Sequence, residues 1–359
     1  MKLSIFSSID WLLMIAVSIL LIFRLITLFS IDISLFKSQL IFLILSIVIF
    51  LIFTQFNYSI LRFYSIHIYI VSLALLIIVL FLGSETRGSV RWLEFLGIRV
   101  QFSEILKPFL ALSLASYLTN LKNYSFRSFL SCLLFLMPLA VLIFLQPDLG
   151  NALIYIFVVL GILVIYGFPF RWFLAGFAIW LASLPFFWLI LHDYQRQRIL
   201  TFINPSRDPL GTSYNAIQAV IAVGSGMLLG RGFGQGTQAE LRFLPERHTD
   251  FIFATISEEL GFVGSIIIIS AFAFILYRLF IIIKNSEDKF SNIFSILVFL
   301  IIFVHFFINI GMNIGIIPIV GVTLPFVSYG GSSLLSNFIL LGLLFAVNRG
   351  RRREVLEIR

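Results

Sequence analysis

One aspartate, Asp250, closes the tetrad Arg247-His248-Thr249-Asp250 and stands directly before the apolar triplet Phe251-Ile252-Phe253. A carboxylate at the start of a helix can cap orphan backbone N–H groups, a contribution of about 1 kcal/mol. The same placement keeps it ionised through the macrodipole and hydrogen bonds, which suits a cation ligand. It also suits a general base if desolvation counteracts the dipole. Spacing alone leaves these readings open.

Other polar groups interrupt apolar stretches, where each costs several kcal/mol unless it is paired. Glu104 and Lys107 are three residues apart, hence on one helix face. Ser103 can cap that helix, and Pro108 is tolerated in its first turn. The pair could brace the helix start or face a substrate cavity. Further along, His305, Asn309 and Asn313 recur every fourth residue, a polar stripe about 12 Å long. Interhelical hydrogen bonding is expected there, since a metal site would need carboxylates that the stripe lacks. Gly311 and Gly315 allow close packing beside it. Glu258 and Glu259 lie about two turns beyond Asp250.

These residues need a scaffold, and composition says which. The chain of 359 residues is 60% hydrophobic and 12% charged, against about 25% charged in soluble domains. Its apolar residues come in unbroken runs such as 40–53, 66–82 and 293–308. Crossing hydrocarbon about 30 Å thick takes about 20 residues at 1.5 Å each. Ten spans are expected, near 11–29, 38–55, 66–83, 104–120, 129–146, 150–167, 170–191, 250–283, 291–316 and 329–347. The first is too long for a signal-peptide core and lacks a small-residue cleavage site. The expected fold is therefore an all-α integral membrane protein of ten transmembrane helices. Residues 1–359 form one polytopic domain, with a large extracytoplasmic loop at 192–249 between helices 7 and 8.

Basic residues orient it. The tail carries Arg349, Arg351, Arg352, Arg353 and Arg359, and short loops on the same side carry Arg62, Lys122, Arg127, Arg171, Lys284 and Lys289. The positive-inside rule places both termini in the cytoplasm. Apart from Arg24 and Lys37, the cations expected outside cluster at 87–107 and 196–247. Cations concentrated against the topological bias point to an anionic ligand. The net charge of +8 does not indicate nucleic acid, because no soluble domain carries a basic stripe. Within the long loop, 214–229 is apolar enough to lie on or in the membrane. Gly224, Gly226, Gly230, Gly232, Gly234 and Gly236 follow at even spacing, for close backbone approach or, less specifically, for cradling a phosphate. The lone Cys132 excludes a disulfide framework.

Six segments together resemble the SEDS family (shape, elongation, division and sporulation). They are Gly83-Ser-Glu-Thr-Arg-Gly-Ser-Val-Arg-Trp92, Gln101-Phe-Ser-Glu-Ile-Leu-Lys107, Gln146-Pro-Asp-Leu-Gly150, Leu244-Pro-Glu-Arg-His-Thr-Asp-Phe-Ile-Phe253, Glu258-Glu-Leu-Gly261 and Pro325-Phe-Val-Ser-Tyr-Gly-Gly-Ser-Ser333. Gly236-Thr-Gln and the His-Thr-Asp segment look more like the elongation branch than the division branch. Three positions depart from the family pattern: Phe102 stands where proline is usual, Asn151 where threonine is, and Met227 where glycine is.

The resemblance implies a peptidoglycan glycosyltransferase of the bacterial cytoplasmic (inner) membrane that polymerises lipid II at the outer leaflet. It implies Asp250 as the essential catalytic residue, and Glu104 and Lys107 as cavity residues. It also implies a divalent cation, magnesium or manganese, and a class B penicillin-binding protein as transpeptidase partner. The chemistry needs a base, a positive site for the leaving pyrophosphate and an apolar groove for the polyprenyl tail. Asp250 would be base or cation ligand. Arg91, Arg99, Lys107, Arg196, Arg198 and Arg247 are candidates for the anion, with Glu104, His248 and Thr249 beside the substrate. A lipid II flippase is the alternative of a different class, and a division-specific polymerase the alternative within the family. Charged motifs clustered on one face favour the enzyme.

Overall fold

Lipid offers no partner to a backbone N–H or C=O, so the apolar runs satisfy theirs internally as helices. The computed structural model describes residues 9–86, 89–95, 98–191, 196–197, 200, 204, 213–236, 243–286 and 288–357. The helices are α1 (Trp11–Ile31), α2 (Ile33–Phe53), α3 (Tyr58–Phe63), α4 (Ser65–Leu82), α5 (Phe102–Ile105), α6 (Lys107–Thr119), α7 (Phe126–Leu145), α8 (Leu149–Ile165), α9 (Phe170–Ile190), α10 (Tyr214–Ser225), α11 (Ile252–Lys284), α12 (Lys289–Asn313) and α13 (Gly331–Glu357). Polar caps start several of them: Asp10, Asp32, Ser125, Asp148 and Asp288 each accept a first-turn N–H. Seven helices among the described residues are long and apolar enough to cross a membrane, and Leu149–Ile165 and Phe170–Phe186 are shorter apolar helices. The chain is a multi-pass membrane protein.

Burial sorts the helices by place. The apolar window of α12 is 78% buried and that of α13 89%, against 17% for α2. α12 and α13 are thus the centre of the bundle, and α2 packs along α13 with its other faces exposed. At one end Arg278 on α11 pairs with Asp10 at 2.6 Å, tying α11 to the start of α1.

Three sequence expectations are corrected. The protein is not purely helical. A three-stranded antiparallel sheet, β1 (Ser84–Thr86), β2 (Ser89–Phe95) and β3 (Ile98–Gln101), joins α4 to α5. Its register pairs Trp92 with Gln101 and Leu93 with Val100. This stretch is rich in β-branched and aromatic residues and too short to span, so it pairs with itself.

The span expected over 104–120 is broken at Leu106 into α5 and α6. Pro108 sits at the start of α6 and supplies no N–H to continue the ladder. Ser103 consequently lies inside α5 and caps nothing.

Asp250 is not a helix cap either. Phe251 takes the N-cap position of α11, with no side-chain cap bond, while Asp250 belongs to the preceding turn.

α11 itself breaks at Gly261 (φ 67°, ψ −158°). A break inside a helix frees backbone groups, and the glycine-rich segment after α10 takes them up. Arg231 N–H donates to the Glu258 carbonyl at 2.9 Å and Gly232 N–H to that of Glu259 at 3.1 Å. In return Phe262 and Val263 donate to the carbonyls of Met227 and Leu228 at 2.9 and 3.2 Å. The two backbones touch, so side chains do not fit: a Cβ on Gly226 would strike the Ser257 carbonyl, and one on Gly230 (φ 84°) the Glu259 carbonyl. At Gly226 and Gly230, therefore, glycine serves close backbone approach. Gly230→Ala is expected to destabilise the protein by about 2–4 kcal/mol, read as a lowered thermal midpoint in detergent.

Met227 presents the opposite case. It follows the end of α10 at φ 51°, a left-handed conformation that glycine adopts freely. This is the position where the resemblance leads one to expect glycine. Met227→Gly is expected to raise the midpoint by an amount equivalent to about 0.5–1 kcal/mol. A lower midpoint would show that the exposed methionine side chain contributes more than its backbone costs.

Candidate active site

Two loops meet over the top of α12. One is the turn 243–251 before α11, and the other runs from 314 to 330 between α12 and α13. Their seam is backbone and side chain together. Tyr329 N–H donates to the His248 carbonyl at 2.8 Å, the His248 and Tyr329 rings meet edge to face at 5.4 Å, and Ser328 donates to the Thr249 carbonyl at 2.6 Å. Each loop holds one non-glycine residue in the left-handed region, Glu246 (φ 53°) and Phe326 (φ 63°). Strain of this kind persists only where the surroundings over-determine the backbone.

Asp250 sits at this seam, half-buried. Its carbonyl accepts from both Asn309 and Asn313, each at 3.0 Å, and Asn313 Oδ1 accepts from Ala254 N–H at 3.1 Å. The two asparagines thereby fix the turn from below, as the four-residue spacing led one to expect. The carboxylate lies against Gly321, whose Cβ, if present, would be 3.5 Å from Oδ2.

One turn below Asn309 the stripe continues to His305. Its Nδ1 lies 3.0 Å from the Thr323 carbonyl, an acceptor only, so Nδ1 carries the proton. Nε2 is then free to accept from the Lys107 ammonium at 2.8 Å. Lys107 also donates to Glu104 at 2.8 Å, and both are almost fully buried. This is the local ion pair, one of the two readings that the spacing left open. Ser336 on α13 donates to the Glu104 carbonyl at 2.7 Å, tying the pair to the central helix.

Asp148 completes the buried network, and its role escaped the sequence reading. Gln101 Nε2, Ser103 and Asn151 Nδ2 donate to its Oδ2 at 2.8, 3.0 and 2.8 Å, and Arg91 approaches Oδ1 at 3.6 Å. The signal was an acidic residue just before an apolar run, a cap position, inside a motif already singled out. Asn151, where threonine is usual, keeps a donor on that carboxylate. Ser332 likewise accepts the Gln101 N–H at 2.9 Å. Polar residues of the 325–333 motif thus hold the two loops and the sheet together.

The remaining candidates divide. Arg91, Glu104, Lys107, His248 and Thr249 join these networks. The Arg247 carbonyl accepts from Thr255 at 3.1 Å, keeping that residue at the start of α11. Arg99 instead faces Glu94 across the sheet at 3.9 Å, and both side chains are exposed. Arg196 caps the end of α9, donating to the carbonyls of Trp188 and Leu189, each at 2.9 Å. Arg198 lies outside the described residues. Among the described residues no group of three or more His, Cys, Asp or Glu side chains is placed to hold a metal ion.

The chain is similar to known proteins in sequence and in fold. The chain is 36% identical over 295 residues to the peptidoglycan glycosyltransferase MrdB of Escherichia coli K12, covering 80% of this chain and 78% of that one. It is 35% identical over 289 residues to the probable peptidoglycan glycosyltransferase FtsW of Wigglesworthia glossinidia brevipalpis, covering 76% and 73%. Among solved structures, it is similar to a chain of a peptidoglycan synthase complex that coordinates polymerization and crosslinking, with a TM-score of 0.84, 30% identity, and 95% and 98% coverage. The rod shape determining protein RodA of Thermus thermophilus gives a TM-score of 0.73 at 27% identity, covering 95% and 97%. The model of the cell cycle protein family FtsW/RodA/SpoVE matches residues 3–353, and the chain belongs to that family.

Proposed function

We propose that this protein is a peptidoglycan glycosyltransferase that extends glycan strands from lipid II at the outer leaflet of the bacterial inner membrane, in the elongation branch of its family. The observation that carries the reading is Asp250: a half-buried carboxylate on a turn held by Asn309 and Asn313, above a buried chain of His305, Lys107 and Glu104. In this reading the chain crosses the membrane ten times, with both termini in the cytoplasm and 192–249 outside. As in the synthase complex, polymerization is matched to crosslinking, here by a class B penicillin-binding protein that supplies transpeptidation.

In the reaction a sugar hydroxyl of one glycan attacks the anomeric carbon of the other. A new C–O bond forms, the bond to the polyprenyl diphosphate breaks, and the hydroxyl proton goes to the Asp250 carboxylate. Asn309 and Asn313 hold the turn that carries this carboxylate by bonding the Asp250 carbonyl. The rigid seam of His248, Thr249, Ser328 and Tyr329 spares the site reorganisation as charge develops.

A divalent cation fits here only as one shared with the substrate. Asp250 would give one carboxylate and the diphosphate the other oxygens, as magnesium is commonly held. It would neutralise charge on the leaving group. Treating the protein with a chelator is expected to stop polymerisation, and added magnesium or manganese to restore it. Full activity after chelation would remove the cation and leave Asp250 as base alone.

A further inference from the structure

Arg24 lies on α1 inside the bundle, 1% exposed, although the sequence grouped it with cations outside. A guanidinium keeps its charge in proteins and offers five N–H donors in a fixed fork. Here Nη2 donates to the Gly330 carbonyl at 3.1 Å, while the Nε–H meets no acceptor. Gln39 on α2 grips the other side of the same residue, its Oε1 accepting Gly330 N–H at 3.2 Å, and its Nε2 is also unpartnered. Thr27, three residues along α1 from Arg24 and 1% exposed, has an unpartnered hydroxyl as well. Arg24 and Gln39, each with an unmet polar atom, thus hold Gly330 between them, with Thr27 one turn along α1, and among the described residues no carboxylate forms an ion pair with the guanidinium.

Burying a charge without a counter-ion is among the costliest arrangements a fold can keep. The set is rich in donors, so the missing partner is an anion with several acceptor oxygens. Phosphoryl groups have that chemistry, and within a bilayer they arrive on lipids. The neighbouring residue links this place to the reaction: Tyr329 N–H bonds the His248 carbonyl, two residues from Asp250.

We propose that Arg24, Thr27 and Gln39 form a binding subsite for a lipid-linked diphosphate, which replaces the Gly330 carbonyl on Arg24 when it enters. Gly330 (φ 156°) followed by Gly331 gives that segment the freedom to yield. The subsite rests on the proposed function for the identity of the lipid. It would hold the leaving group while Asp250 faces the anomeric carbon.

The test measures binding of undecaprenyl diphosphate, undecaprenol and inorganic pyrophosphate to the purified full-length chain in detergent. Wild type is expected to bind the lipid diphosphate and to ignore the alcohol. Arg24→Met should weaken that binding by about 10- to 100-fold. Gln39→Glu places a carboxylate beside Arg24, so it should raise the thermal midpoint while weakening diphosphate binding similarly. It decides the matter even if Arg24→Met does not fold. Unchanged affinity in Gln39→Glu, or equal binding of undecaprenol by wild type, would overturn the subsite. Inorganic pyrophosphate bound as tightly through Arg24 would overturn its assignment to a lipid. Failure of the glycosyltransferase reading shows separately, as wild type that binds the diphosphate yet makes no glycan.

Discussion

Asp250→Asn is expected to lower glycan polymerisation by about 10²- to 10⁴-fold and to leave the fold intact. Asparagine has nearly the shape of aspartate but accepts no proton at neutral pH and is a poorer cation ligand. The backbone of the turn is held by Asn309 and Asn313 through the carbonyl of residue 250, which the substitution keeps. Nor is a helix cap lost, because the N-cap of α11 is Phe251. Stability and activity should therefore separate. Polymerisation on a gel, beside thermal midpoints of both proteins, reads them. Equal loss of both would return Asp250 to a structural part, and activity near wild type would remove it from the chemistry.

Lys107→Met should have the largest effect on stability, about 3–5 kcal/mol, because it strands the buried Glu104 carboxylate. It also takes the donor from His305 Nε2. Adding Glu104→Gln should recover a good part of that loss, since a neutral amide costs far less to bury than an unpaired charge. Midpoints of the two single variants and the double form a mutant cycle, and losses that simply add would deny the coupling. The same double variant separates the two roles left open by spacing. If it is stable and still polymerises, the pair only braces α5 and α6. If it is stable and inactive, the buried charges shape the site. We expect the second result, since the pair is joined through His305 to the loop that carries Thr323.

What could be read beforehand followed from periodicity and burial. Apolar runs became helices at nearly the expected places, as with 66–83 against Ser65–Leu82, because in lipid a hydrophobic run has few alternatives to a helix. The polar stripe of α12 and the pairing of Glu104 with Lys107 needed only the helical repeat. What stayed hidden depends on partners distant in sequence. Asp148 is a cap by local rule, yet its importance comes from Gln101 and Ser103. The glycines at 226 and 230 read as a loop until the carbonyls of Ser257 and Glu259 are set against them. Arg24 looked like one more outward cation because its contact with Gly330 spans 306 residues. The strands escaped because their short segment lies between two strong helical signals.

The most direct measurement is polymerisation of lipid II by the wild-type chain in liposomes, with a class B penicillin-binding protein whose transpeptidase is blocked. Glycan length on a gel and movement of lipid II across the bilayer are followed together. Long, chelator-sensitive glycan is expected, with no movement of lipid II that depends on the protein. Protein-dependent transfer across the bilayer without glycan would contradict it and make this a transporter.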